Sequence, residues 1–347
     1  MDQKISKRIT FIGFCMTCVI VLFHCYDGEL SPISDTDREI YLGINYFFAT
    51  LSRLALCWFF AVSGFLLFRD FDMKRNYLSK IKRRVFSLLV PYVLWELAGG
   101  LLNRSLLREP GTVLANIFLL QKWPPIGPLW YMYAIFLFAV ISPVFWFLLK
   151  WRKPWGGCVL FALIFALVYY NEMTRGSFIF HFLSFGYMRS IVTYLPAYLT
   201  GCYFGMHDRD RDHPPFTDCI VLLLAALMAK HFYEDIFLQI VNCLLPILMI
   251  YAFPAGSVEG RRKRLFNLAF LMYAIHSYLT VHLAPAVRSA LLGMTPETWV
   301  ANLGARFIVL GAVILLAAAV WLALSLICPP VLKVITGGRV KPLREIK

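Results

Sequence analysis

The sequence predicts an all-α, polytopic membrane bundle of about ten transmembrane helices with both termini in the cytosol. Three observations carry that expectation. The 347 residues are 60% hydrophobic, with a mean hydropathy of +0.67, whereas soluble domains are about 45–50% apolar. Stretches of about 20 apolar residues, long enough to cross a hydrocarbon core about 30 Å thick, recur along the whole chain. Lys and Arg gather in alternate loops, as the positive-inside rule requires. The formal charge of +14 then follows from topology, so the expected partner is the lipid bilayer and not nucleic acid. No repeat, low-complexity segment or soluble domain interrupts the pattern, which makes residues 1–347 a single membrane domain.

The apolar windows fall at about 9–26, 42–68, 85–102, 128–149, 155–170, 187–206, 217–231, 236–254, 266–284 and 303–328. The fifth and seventh are short, so counts of eight or eleven remain open. The first follows a basic start (Lys4, Lys7, Arg8) and resembles a signal peptide. Phe23-His24-Cys25-Tyr26 is too bulky for a cleavage site, so the segment is read as a retained helix. Placing the N-terminus in the cytosol puts 24 of the 34 Lys and Arg residues in inner segments and seven in outer loops, leaving Arg53, Arg189 and Arg306 within spans. The acidic stretch Asp27–Glu39 is then outside. Nine cysteines, most of them inside apolar segments, read as small soft core residues, the Cys15-x-x-Cys18 pair included.

Ionisable residues inside such windows are expensive to insert and mark candidate sites. His24 lies sixteen residues beyond Arg8, about 24 Å further across at 1.5 Å per residue. That depth is close to the outer face, where an imidazole can exchange a proton with an arriving hydroxyl. Arg53 sits midway along the second window and must face a bundle interior or a wet cavity. Glu96, two-thirds of the way outward along the third, is its candidate partner. The pair either holds two helices together or serves substrate binding and the orientation of His24. His276, mid-span in the ninth window, reads as an interhelical hydrogen-bonding residue. Arg189 and Arg306, near outer helix ends, read as snorkelling side chains.

The inner loop is dense in charge: Arg69, Lys74, Arg75, Lys80, Lys82, Arg83 and Arg84. Topology, anionic lipid headgroups and the phosphates of a nucleotide-bearing donor are all compatible with it. No G-x-x-x-x-G-K-[ST], H-E-x-x-H or G-x-S-x-G motif is present, so ATP-driven transport, zincin and α/β-hydrolase chemistries lack support. Ser63-Gly64 reads as small residues at a helix contact or kink.

Taken in order, five segments resemble one family. They are His24 closing the first span; Arg53-Leu-Ala-Leu-Cys-Trp-Phe-Phe-Ala-Val-Ser-Gly closing the second; Tyr77-Leu-Ser-Lys-Ile-Lys-Arg-Arg with the following Pro91-Tyr-Val-Leu-Trp95; Pro128-Leu-Trp-Tyr-Met-Tyr through Pro143; and Tyr273-Ala-Ile-His276. Their identity and spacing are similar to the acyltransferase 3 family of integral membrane acyltransferases, over about residues 8–325. The resemblance implies a multi-pass protein of a bacterial plasma membrane that takes an acyl group, acetyl being the expected one, from cytosolic acyl-CoA. The acceptor is a hydroxyl of a surface or exported glycan, and no metal is needed.

It further implies His24 as the key catalytic residue. A basic R-x-x-R pair at the inner start of the third span is matched loosely by Lys80 and Arg83, with Lys82 and Arg84 beside them for the CoA phosphates. Many members carry Arg eleven residues before the histidine; here that position is Gly13, and Arg53 is the candidate to supply the charge. On this expectation His24 is the general base, Arg53 stabilises the oxyanion or fixes His24, and Glu96 holds Arg53. The alternative is a proton-coupled transporter or flippase in which His24, Arg53 and Glu96 form a relay.

Overall fold

The computed structural model describes residues 3–25, 34–119, 124–151, 155–173, 188–207, 220, 227, 234–253, 261–295 and 297–345. Among them all regular structure is helical. The main helices are α1 (Gln3–His24), α2 (Asp35–Phe68), α3 (Tyr77–Leu102), α4 (Ser105–Arg108), α5 (Pro110–Leu119), α6 (Trp130–Val140) and α7 (Ser142–Leu149). They continue with α8 (Trp155–Met173), α9 (Met188–Met206), α10 (Glu234–Ala252), α11 (Arg261–Phe266), α12 (Ala269–Leu292), α13 (Thr298–Ile327) and α14 (Pro329–Ile335). Contacts divide the chain into two compact units: Met1–Ile9 with Leu56–Ala255, and Thr10–Ala55 with Gly256–Lys347.

Among the described residues five helices (α1, α2, α3, α12 and α13) are long and apolar enough to cross a membrane, or six spans if the bent pair α6–α7 is one. This is fewer than the ten windows. α8 and α10 are shorter apolar helices, α9 occupies the sixth window, and the seventh window, 217–231, lies almost wholly outside the described residues. The window at 128–149 is not one straight helix: α6 and α7 meet at 61°. The cause is in the sequence, because Pro143 offers no N–H to the preceding turn and disfavours helical geometry just before it. Residues 103–127, left between windows, hold α4 and α5, whose Val113 and Ile117 are buried.

In the unit formed by Met1–Ile9 and Leu56–Ala255, α2 and α9 approach at backbone distance. A Cβ on Gly201 would stand 1.9 Å from the Ala61 carbonyl oxygen, and one on Gly205 would stand 2.4 Å from that of Phe65. Gly64 meets Tyr198 in the same way at 2.4 Å, which accounts for the small residues at Ser63-Gly64. Gly201 and Gly205, four apart, form the small-xxx-small face that lets membrane helices pack without a hydrophobic driving force. Phe60 sits above this seam, stacked on Tyr194 (5.3 Å) and edge-on to Tyr131 (4.9 Å). α3 contains a π-helical turn at Val85–Leu89 just before Pro91, a widened turn that absorbs the missing proline donor. The Arg8 guanidinium donates to the Tyr251 carbonyl (2.6 Å) in the last turn of α10, where a cation is favoured by the helix dipole.

In the unit formed by Thr10–Ala55 and Gly256–Lys347, α12 and α13 pack along their length. The buried side of α13 runs Ala301, Ala305, Val309, Val313, Ala317, Trp321. This i+4 ridge is the row that seats in a neighbouring helix groove. Asp37 on α2 is buried and accepts the Trp299 N–H (3.2 Å) in the first turn of α13, so a carboxylate satisfies an otherwise orphan helix donor.

Candidate functional site

His24 is the last residue of α1, and its side chain is exposed. Its ring lies 5.1 Å, centre to centre, from that of His276 on α12, and 5.2 Å from Phe23. His276 is 0% exposed. Its Nδ1 bonds the Tyr273 carbonyl at 2.6 Å. A carbonyl can only accept, so Nδ1 carries the proton, and in the neutral ring Nε2 would then present a lone pair. Nε2 has no hydrogen-bond partner among the described residues. Two ionisable rings that lie 252 positions apart in the sequence are thus in contact.

The turn that carries His24 is held by Arg306. Sequence position suggested that Arg306 snorkels; it is instead 0% exposed. Its Nη1 donates to the Leu22 carbonyl at 2.8 Å, its Nε to Asn302 Oδ1 at 2.8 Å, and its Nη2 to Asn45 Oδ1. The guanidinium also lies over the Phe48 ring, 4.7 Å from its centre. Leu22 O is one of the four carbonyls a helix C-terminus leaves unpaired, and the dipole makes that end attractive to a cation. One side chain of α13 therefore ties the end of α1 to α2, two residues before His24. Arg288, counted in an outer loop from sequence, is likewise a buried residue of α12. The helix continues through Pro285, which had marked the end of the window.

Arg53 was expected to face a bundle interior or a wet cavity. Its side chain is exposed, and among the described residues of its own unit no hydrogen bond or ion pair of that side chain is seen. It lies eight residues along α2 from Asn45, about 12 Å of helix, so the contact with the His24 turn belongs to Arg306. Glu96 is in the other unit and is 0% exposed. Its Oε2 accepts the Ile126 N–H at 2.7 Å, while Oε1 has no partner among the described residues. A Cβ on Gly99, one turn later, would stand 2.5 Å from Ile126 Cγ1. Glu96 and Gly99 together seat the segment that leads into α6.

The basic loop forms a pocket of about 380 Å³ whose lining includes Asp70, Asn76, Ser79, Lys80, Arg83 and Arg84. Lys80, Arg83 and Arg84 stand at i, i+3 and i+4, the spacing that shares one helix face. Lys82, two residues on, does not line it and is exposed. Arg84 is partly committed, its guanidinium donating to Ser63 Oγ (3.0 Å) and to the Ser63 carbonyl (3.2 Å). Lys80 donates to the Leu67 carbonyl. Arg83 is exposed. Three cations against the single carboxylate of Asp70 give the pocket an anion-attracting surplus.

Asn45 and Asn302 escaped the sequence reading, and Arg306 was read as a snorkelling side chain. Asn302-x-x-x-Arg306 was the available signal, an i,i+4 polar pair in a helix otherwise made of apolar and small residues.

Residues 13–327 match the family model described as "Acyltransferase domain". The chain is also 25% identical over 168 residues to succinoglycan biosynthesis protein ExoH of Rhizobium meliloti (strain 1021), a match that covers 42% of this chain and 43% of that protein. No solved structure matches.

Proposed function

The chain belongs to the acyltransferase 3 family, and from that premise we propose that it is a multi-pass membrane O-acyltransferase of the bacterial plasma membrane. It moves an acyl group, acetyl in the simplest case, from acyl-CoA on the cytosolic side to a hydroxyl of an extracytoplasmic polysaccharide or its precursor. The relative involved in succinoglycan biosynthesis supports the polysaccharide as acceptor class. The observation that carries the reading is His24, an exposed imidazole at the end of a membrane helix whose last turn is fixed by a buried arginine.

The geometry supports the following residue roles. His24 takes the proton of the acceptor hydroxyl, a contribution of about 10²–10⁴-fold in rate. Arg306 keeps the α1 terminus in register, so the backbone that carries the imidazole is already in place when substrate arrives. Arg83, with Lys80 and Arg84 on the same face, receives the phosphates of the donor. Mass spectrometry of surface polysaccharide from cells with and without the protein tests the reading. O-acyl groups, present with the protein and lost without it, are expected; an identical acylation pattern overturns it.

A further inference from the structure

Resting on that reading, we propose that His276 is a positioning residue for His24. Its Nε2 accepts the N–H of one His24 nitrogen and so holds the other nitrogen, with its lone pair, toward the acceptor hydroxyl.

The arrangement is built for it. His276 is fully buried, so its ring has no freedom to turn away. The Tyr273 carbonyl fixes its proton on Nδ1, which leaves an acceptor at Nε2. Buried polar atoms are nearly always satisfied, and an orphan costs stability unless the working state supplies a partner. The unsatisfied Nε2 belongs to a ring whose neighbour, 5.1 Å away, is the exposed ring of His24. That centre-to-centre spacing is short enough for two facing ring nitrogens to reach hydrogen-bond distance, and catalytic hydrogen bonds commonly tighten only when substrate is bound. A base oriented by a third group is the general logic of activated nucleophiles. Here a neutral imidazole takes the place that a carboxylate holds in other hydrolases and transferases.

The step balances without any charge on His276. The acceptor O–H proton passes to the free nitrogen of His24 as the oxygen attacks the thioester carbonyl. The O–C bond forms, and the C–S bond breaks with its electron pair leaving on sulfur. The proton then passes from His24 to the thiolate, so free thiol departs and His24 returns to neutral. His276 holds the second N–H of His24 throughout, including while His24 is cationic.

The test separates the two nitrogens of His276, using the full-length protein in proteoliposomes with acetyl-CoA and the polysaccharide acceptor. His276→Asn places an amide at the δ position, where it keeps the bond to the Tyr273 carbonyl, and has nothing at ε. His276→Gln places an amide oxygen near the ε position. The expected result is a fall in kcat on the order of 10²-fold for His276→Asn, with both KM values and the melting temperature little changed. His276→Gln should recover part of the loss. Wild-type kcat in His276→Asn, alongside an inactive His24→Ala, overturns this inference and leaves the proposed function standing. A melting temperature that falls in step with activity in both variants also overturns it, because the ring then only packs. An active His24→Ala variant overturns the proposed function itself.

Discussion

Replacing Arg306 by Met preserves a long apolar stem but strips the donor from the Leu22 carbonyl, Asn45 and Asn302 at once. Each buried acceptor left without a partner costs about 1–3 kcal/mol, so a loss of roughly 3 kcal/mol or more in unfolding free energy is expected in detergent. Arg306→Lys keeps the charge without the planar fork and should fall in between; thermal unfolding of the three proteins checks the order. Glu96→Leu orphans the Ile126 N–H and should cost about 1–3 kcal/mol, whereas Glu96→Gln retains an acceptor and should cost less. Equal melting temperatures for the two Glu96 variants would remove that seat. His24, Glu96 and His276 were visible in the sequence because each is an ionisable residue in an apolar window. Arg306 was misjudged because its burial depends on Asn45 and Leu22, which lie 261 and 284 positions away. No local pattern carries that distance. Arg53 is exposed, and mid-window position alone does not say whether such a side chain meets the protein or a wet cavity.

At the scale of helices, the close approach of α2 and α9 depends on glycine. Gly201→Val would drive a side chain into the Ala61 carbonyl, a backbone atom that cannot turn aside. Overpacking of this kind typically costs about 1–3 kcal/mol or more, and poor membrane accumulation is the expected outcome. Gly311 in α13 meets nothing within 4 Å, so Gly311→Ala should be neutral or stabilising by up to about 1 kcal/mol through helix propensity. Comparing the two by melting temperature separates contact from composition. Hydropathy located α1, α2, α3, α12 and α13 well because a long apolar run has few alternatives in a membrane. It did not find the 61° bend between α6 and α7, nor α5, and it stopped α12 at Pro285 where the helix runs on to Leu292. In each case proline decides the outcome, and whether it bends, breaks or is absorbed depends on neighbouring elements. The charge run that leads into and opens α3 was legible as a donor-site candidate, but its facing was not. Donor binding is therefore expected to weaken several-fold in Lys80→Gln and Arg83→Gln and hardly at all in Lys82→Gln, by equilibrium binding of acyl-CoA to the purified protein. A loss in Lys82→Gln equal to that in Arg83→Gln would make the effect one of general charge.

For the molecule as a whole, donor and acceptor are proposed to arrive from opposite sides of the bilayer, and the chemistry is proposed to turn on one imidazole. The Lys and Arg distribution leads us to propose that both termini are cytosolic and that the basic loop before Val85 faces inward. The most direct measurement is transfer of isotope-labelled acetyl from acetyl-CoA to polysaccharide hydroxyls by the purified protein in proteoliposomes, wild type against His24→Ala. The wild type should acylate the glycan. The variant, equally abundant and equally folded, should be slower by about 10²–10⁴-fold. Transfer at the wild-type rate by His24→Ala would contradict the assignment of His24 as the base.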